Sequence, residues 1–169
     1  MKRLSVSIMG AVMVVLLSLS MVSAGTSIFD NTVSDCSTDN CSSLTLAGSV
    51  FTINDIEVRS WVVNLFSDIG QCMRFEVLAQ DTDLEMVVVA PNGQVFRDDD
   101  SAGDRRPLVK IASALNVGWY TVQVSSFDGM PPALAISNFV FSHGVYTPGN
   151  ANCASATSPL SIDGLDDHK

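Results

Sequence analysis

Basic residues are scarce in this chain of 169 residues, in which nine lysines and arginines stand against eighteen acids. The formal net charge is −9 at pH 7. Proteins that bind nucleic acids neutralise phosphates with a stripe of Lys and Arg, and no such stripe occurs here. The composition argues against a nucleic-acid partner and leaves cation binding, a basic partner or simple solubility as roles for the acids.

Catalytic signatures are missing as well. No G-x-S-x-G elbow, H-E-x-x-H helix or P-loop is present. The only two histidines are His143, which we interpret as a structural side chain at the end of a predicted strand, and His168 near the C-terminus. We therefore predict a non-enzyme. Because eighteen acids allow many carboxylate pairs, a carboxylate-dependent hydrolase is kept as an alternative.

A long apolar run occurs once, at the N-terminus. Lys2 and Arg3 precede apolar residues 4–19, and the small residues 22–24 (VSA) match a signal-peptidase site. We predict a signal peptide over 1–24 and export to the periplasm or medium. The alternative is a membrane anchor, but a helix that spans a membrane needs roughly 20 apolar residues, and this run is shorter. No second such run follows, so we expect no membrane span in the mature chain. Removal of Lys2 and Arg3 would take the formal charge from −9 to −11.

Four cysteines remain after that cleavage: Cys36, Cys41, Cys72 and Cys153. An even number in an exported chain predicts two disulfides, for which three pairings exist. We favour Cys36–Cys41 with Cys72–Cys153, and the alternative joins Cys36 or Cys41 to Cys153. A zinc site is disfavoured, since there is no C-x-x-C pair and both histidines are distant in sequence.

Helical periodicity is nearly absent, whereas strand patterns are frequent. We predict strands over 44–53, 57–66, 71–80, 84–90, 94–97, 108–114, 118–127 and 134–146. Asn92-Gly93 marks a hairpin turn. Short strands separated by turns predict an all-β protein with an antiparallel two-sheet sandwich or jelly roll. The expected organisation is an N-terminal segment 25–43 with Cys36 and Cys41, a sandwich over 44–146, and a flexible tail over 147–169 with Cys153.

Strict alternation within the strands predicts which side chains form the core. The expected buried set is Met73, Phe75, Val77, Leu84, Met86, Tyr120, Val122 and Val124. The expected exposed set is Arg74, Glu76, Thr121 and Gln123. Trp119 should point outward beside a hairpin end, where it is either a single exposed ring or a platform for a ligand.

An ordered series of motifs runs through the middle of the chain: residues 81–84 (DTDL), 91–93 (PNG), 98–100 (DDD) and 118–124 (GWYTVQV). In this order the chain resembles the bacterial pre-peptidase C-terminal (PPC) domain family over roughly residues 44–143. The resemblance implies a β-sandwich that is an accessory module rather than a catalyst. Some members of the family bind calcium and an extracellular polymer. We expect a stand-alone secreted member, since no protease motif precedes the sandwich segment in this sequence.

Six aspartates cluster in two predicted loops: Asp81, Asp83, Asp98, Asp99, Asp100 and Asp104. Calcium takes six to eight oxygen ligands, for which carboxylates supply the charge. Calcium is therefore the one cofactor that the sequence suggests, bound by these six residues. The alternative is that the aspartates shape solvated turns by accepting bonds from backbone N–H groups.

These patterns predict an exported, non-catalytic β-sandwich that binds an extracellular polymer or protein partner. The alternatives are a structural or assembly component of the cell envelope and the hydrolase mentioned above. An apolar patch around Trp119 would favour binding, a long unpaired edge strand would favour assembly, and a cleft with converging acids would favour the enzyme.

Overall fold

The computed structural model describes residues 27–30, 42–53, 56–67, 70–112, 117–127 and 135–161. The predicted signal peptide, Cys36, Cys41 and His168 lie outside these residues. The strands, in chain order, are β1 Ser27–Asp30, β2 Ser42–Ile53, β3 Ile56–Arg59, β4 Trp61–Ser67, β5 Cys72–Gln80, β6 Leu84–Val89, β7 Val95–Asp98, β8 Leu108–Ile111, β9 Gly118–Ser126 and β10 Ala135–Tyr146.

The strands form two five-stranded sheets. Sheet A has the order β1-β4-β9-β6-β7, and sheet B has the order β3-β2-β10-β5-β8. All pairs are antiparallel except β1 with β4, which is parallel. The inner faces of both sheets contribute to one buried cluster, which includes Val63 and Val122 from sheet A and Phe75 and Phe141 from sheet B. The predicted all-β, two-sheet sandwich is confirmed.

The alternation rule places the core correctly, because all eight side chains predicted to be buried are at most 2% exposed. The prediction for the outer face is only partly right. Gln123 is exposed, but Arg74, Glu76 and Thr121 are partly covered. Arg74 and Glu76 cover each other through an ion pair of 2.7 Å, and Thr121 donates to Asn64 at 2.8 Å.

The predicted strand over 57–66 is wrong in one respect, because it is two strands in different sheets. The chain leaves sheet B after Arg59, passes Ser60, and enters sheet A at Trp61. The phase of the alternation changes at this corner, since Arg59 is exposed whereas Val63 and Leu65, also at odd positions, are buried. Strand β1, within the predicted N-terminal segment, was not predicted, because four residues are too few for a periodic signal.

The predicted flexible tail needs correction for residues 147–161. A short 3-10 helix, Ala151–Cys153, follows β10, and Cys153 forms a disulfide with Cys72, as favoured from the sequence. Beyond it, Thr157 N donates to the carbonyl of Lys110 in β8, and Leu160 N donates to the carbonyl of Val95 in β7. This C-terminal segment therefore lies along one edge of each sheet. Residues 162–169 lie outside the described part of the chain.

Candidate binding surfaces

The acidic loop, residues 98–107 between β7 and β8, is closed by the side chain of Asp98. Its Oδ2 accepts from the backbone N–H of Ser101 at 3.0 Å and of Leu108 at 2.7 Å. Its Oδ1 accepts from the hydroxyl of Ser101. Short polar side chains form turns in this way, by pairing backbone donors that the strands leave over. Asp98 thus holds the two ends of the loop together.

Arg106 holds the far part of the same loop. Its guanidinium donates to the backbone carbonyls of Leu78 at 2.8 Å, Gly103 at 3.1 Å and Ala102 at 3.3 Å. Between these contacts Asp104 has a φ of 54°, a left-handed conformation that aspartate adopts more readily than most residues. The shape of the acidic loop is therefore determined by bonds within the protein.

The two aspartate-bearing segments lie at the same end of the sandwich. Gln80, at the end of β5, donates to the carbonyl of Arg105 at 2.6 Å. The guanidinium of Arg105 in turn lies 3.7 Å from the carboxylate of Asp83. Asp81 faces away from the loop, because its Oδ2 accepts from Asn138 N at 3.1 Å and from Asn138 Nδ2 at 3.2 Å. An arginine, not an open cavity, therefore stands next to Asp83.

Calcium would need several of these carboxylates to converge. Within the described ranges, no group of three or more Asp, Glu, His or Cys side chains is arranged to hold a metal ion. Burial, together with the neighbouring Asp100 and Asp98, raises the pKa of Asp99. The bonds of Asp98 are those of the turn alternative. The calcium site stays a prediction.

Trp119 is 44% exposed on the outer surface of sheet A, as its position in β9 predicts. Its ring packs edge-on against Phe66 of β4, with ring centroids 5.3 Å apart. Antiparallel register makes these two residues direct neighbours. Phe66 was missed from the sequence because its partner across the sheet depends on strand order.

Further apolar side chains extend this surface across the sheet. The next row of the register brings together Asn64, Thr121, Val89 and Val95 on neighbouring strands. Val89 is 36% exposed, and Val117, just before β9, is 50% exposed. We call the outward side chains of Phe66, Trp119, Val117, Val89 and Val95 the Trp119 face. Its charged border is an ion pair in which Arg97 Nε donates to Glu85 at 2.8 Å.

His143 lies within β10 and is fully buried, which fits a structural side chain. Its ring stacks on Phe75 with centroids 4.6 Å apart. Nδ1 lies 3.2 Å from the carbonyl oxygen of Arg74. Burial lowers the pKa of His143 to about 4, since the charged imidazolium would lose its hydration. His143 is therefore neutral at pH 7 and has no contact with solvent.

The described part of the chain contains no helix that is long and apolar enough to cross a membrane. The sequence matches no protein-family model and no curated protein. Among solved structures, the chain is similar to PliG of Aeromonas hydrophila, a periplasmic inhibitor of g-type lysozyme. The two share 17% identity with a TM-score of 0.44, over 72% of this chain and 99% of that chain. Membership of the PPC family stays a prediction.

Proposed function

We propose that this protein is an exported, non-catalytic β-sandwich that binds a protein partner outside the cytoplasm through the Trp119 face. Export is supported by two independent features. The first 24 residues have the pattern of a signal peptide. The Cys72–Cys153 disulfide is typical of proteins that fold in an oxidising compartment.

The observation that carries the proposal is the composition of the Trp119 face. Protein interfaces combine an aromatic, charge-poor centre with a polar rim. Here Trp119 and Phe66 form the aromatic centre, and the Arg97–Glu85 pair borders the surface. Val117 lies beside Trp119 in the chain, and Val89 and Val95 lie on the same outer surface beyond the polar Thr121 and Asn64. Trp119 lies in a strand of the sandwich core, because the neighbouring Tyr120 is 2% exposed. A rigid aromatic side chain loses little entropy when it is covered by a partner.

The PPC-like assignment is part of this proposal. A stand-alone member of that family would use the same sandwich as a binding module without catalytic residues. The motifs at 81–84, 91–93, 98–100 and 118–124, and their order along the chain, support it.

No specific observation favours the two alternatives. Assembly by strand pairing would be helped by a long unpaired edge strand, but the edge strands β1, β3, β7 and β8 are four residues each. A hydrolase would need converging acids in a cleft. Two depressions among the described residues contain one carboxylate between them, that of Asp81.

Site-specific photo-crosslinking in the producing cells tests the proposal. A photoreactive amino acid in place of Val117 lies beside Trp119 in the chain. The same photoreactive amino acid in place of Thr45, which is exposed on sheet B, is the matched control. We expect one dominant protein adduct from position 117 and none from position 45. The adduct should be lost in a Trp119→Ala background and kept in Gln123→Ala, which alters the same strand. The proposal would be contradicted by equal adduct yields from both positions, or by an adduct yield that Trp119→Ala leaves unchanged.

A further inference from the structure

The ring pair of Trp119 and Phe66 is not covered by the rest of the protein. The planes of the two rings meet at 74°, so the contact is edge to face and the rings are not stacked. Trp119 remains 44% exposed in this arrangement, and Phe66 is partly exposed. Aromatic rings are apolar, but their faces carry partial negative charge. The exposed surface of the pair can therefore be covered either by an apolar group or by a cation.

An acid occupies the next position in the row of residues that runs across sheet A through these rings. The register aligns Trp119 of β9 with Phe66 of β4, and it aligns Phe66 with Asp30 of β1. Neighbouring strands lie about 4.8 Å apart, so the backbone of Asp30 is directly beside that of Phe66. The row is therefore aromatic, aromatic and acidic, and its acid belongs to the edge strand of the sheet. A negative charge at this position favours a cation over an apolar group as the cover of the rings.

The bases of the protein itself do not provide that cation. Nine bases less Lys2 and Arg3 leave seven after the predicted cleavage site, and six of these are described: Arg59, Arg74, Arg97, Arg105, Arg106 and Lys110. Five of the six belong to sheet B or to the acidic loop. The sixth, Arg97, is on the outer surface of sheet A, but its guanidinium is bound to Glu85 at 2.8 and 2.5 Å. Within the described ranges, no base is left to cover Trp119.

The charge of the whole chain acts in the same direction. The formal net charge is −9, and it becomes −11 once Lys2 and Arg3 are removed. A field of this sign speeds the encounter with basic proteins and disfavours acidic ones. Among the basic side chains, arginine suits the ring pair better than lysine, because its guanidinium is planar, weakly hydrated and able to stack on an aromatic face.

We infer that the partner of the Trp119 face is a basic protein, and that it places an arginine side chain on the ring pair of Trp119 and Phe66. The guanidinium packs on the rings, and the negative charge at the Asp30 position adds to the attraction. This inference rests on the proposed function, because it concerns the same surface. It adds the sign of the partner's charge and the side chain that makes the central contact.

Tryptophan fluorescence with short peptides tests the cation directly. The probes are blocked tetra-arginine, blocked tetra-lysine and blocked tetra-citrulline, which has the shape of tetra-arginine without its charge. The chain has two tryptophans, so a Trp119→Phe variant identifies the part of the signal that comes from Trp61. We expect tetra-arginine to cause a saturable change in emission that Trp119→Phe abolishes. Tetra-lysine should bind more weakly, and tetra-citrulline should not saturate the signal.

Three substitutions locate the peptide, with affinities measured by calorimetry. Trp119→Ala should weaken the binding of tetra-arginine about fivefold, as expected for the loss of one cation–π contact. Asp30→Asn should weaken it about threefold, as expected for one exposed charge pair. The matched control is Asp100→Asn, which removes the same charge in the acidic loop and should leave the affinity nearly unchanged.

The inference would be overturned if tetra-arginine did not bind, if tetra-citrulline bound equally well, or if Trp119→Ala left the affinity unchanged. It would also be overturned if Asp100→Asn weakened binding as much as Asp30→Asn, because overall charge would then hold the peptide. The photo-crosslinking experiment separates this inference from the proposed function. An adduct from position 117 whose crosslinked partner segment contains no arginine or lysine would overturn the inference and leave the proposed function intact. Absence of any adduct would overturn both.

Discussion

The acidic loop and the C-terminal segment are both irregular, and they are held in different ways. The acidic loop depends on side chains within its own sequence, since Asp98 pairs with Ser101 and Leu108. The C-terminal segment is held from outside, by the disulfide to Cys72 and by backbone bonds to Lys110 and Val95. The comparison teaches that the acidic loop is closed by short-range bonds and only then fastened to β5 by Arg106 and Gln80, whereas the C-terminal segment depends on contacts far apart in sequence.

The largest expected effect comes from releasing the C-terminal segment. The Cys72–Cys153 disulfide closes a loop with a sequence separation of 81, and a cross-link of that length stabilises a fold by about 4 kcal/mol in the chain-entropy account. The double variant Cys72→Ala with Cys153→Ala should lose most of this free energy of unfolding in urea titrations. Hydrogen exchange should also accelerate at the backbone N–H groups of Thr157 and Leu160. An unchanged unfolding midpoint would show that the segment is held without the disulfide.

The next effect is a pH dependence of the free energy of unfolding, caused by His143. This residue lies in β10, next to β5, which bears Cys72. Its pKa is about 4 in the folded protein and 6.5 in the unfolded chain, so folding favours the neutral ring. The stabilisation is present above pH 6.5 and is lost as the pH falls towards 4. The loss should total about 3 kcal/mol, since one pKa unit corresponds to about 1.4 kcal/mol.

Urea unfolding between pH 7 and pH 4 measures this effect. A His143→Phe variant keeps an aromatic ring against Phe75 but does not titrate, so its stability should fall less over the same range. Parallel pH profiles for the wild type and the variant would contradict the assignment to His143.

A smaller effect is expected in the acidic loop. Asp98→Ala removes the acceptor for two backbone N–H groups and a hydroxyl, and loss of such a cap typically costs about 1–2 kcal/mol. The control is Asp100→Ala, whose exposed side chain closes no turn. Thermal unfolding should show a lower Tm for Asp98→Ala and an unchanged or slightly higher Tm for the control. Equal effects would mean that charge, not hydrogen bonding, organises the loop.

The smallest expected effect is that of calcium. The predicted calcium site implies that millimolar calcium raises the Tm and that EDTA lowers it. The rise should be small, because calcium would have to displace the three bonds that the oxygens of Asp98 already accept. Without that cost, a bound ion raises the stability by about 2.7 kcal/mol at a hundredfold excess over Kd. Calorimetry with the double variant Asp98→Asn and Asp100→Asn distinguishes the outcomes, since a rise in Tm that this variant abolishes would establish the metal site.

The residues themselves show why part of this fold could be predicted from the sequence. Alternation in β5, β6 and β9 identifies the core, because a two-residue period reports directly on which face is buried. At the corner beside Ser60 the apolar positions change phase between Arg59 and Trp61, and the single strand predicted over 57–66 overlooked that change. The cysteines give the disulfide of the C-terminal segment, but its bonds to β7 and β8 give no sequence pattern, since Thr157 and Leu160 donate from backbone N–H groups, which almost every residue has.

Only part of the candidate surfaces could be predicted from the sequence, as was the case for the fold. The outward position of Trp119 follows from its place between Gly118 and the buried Tyr120 in an alternating strand. Its neighbour Phe66 follows only from the pairing of β4 with β9. The pairing of Asp81 with Asn138 joins residues 57 positions apart, so the sequence pattern grouped Asp81 with the other aspartates instead.

The position of β10 at the centre of sheet B makes the folding of that sheet depend on the end of the chain. β10 is the last strand among the described residues, yet β2 and β5 pair with it on either side. Strands β4, β6 and β9 of sheet A can pair without any residue beyond Ser126, whereas sheet B stays divided until β10 is in place. Folding that depends on such non-local pairing is slow and leaves strand edges open in the meantime. A chain cut before β10 would therefore carry two unpaired sheet fragments and be prone to aggregate.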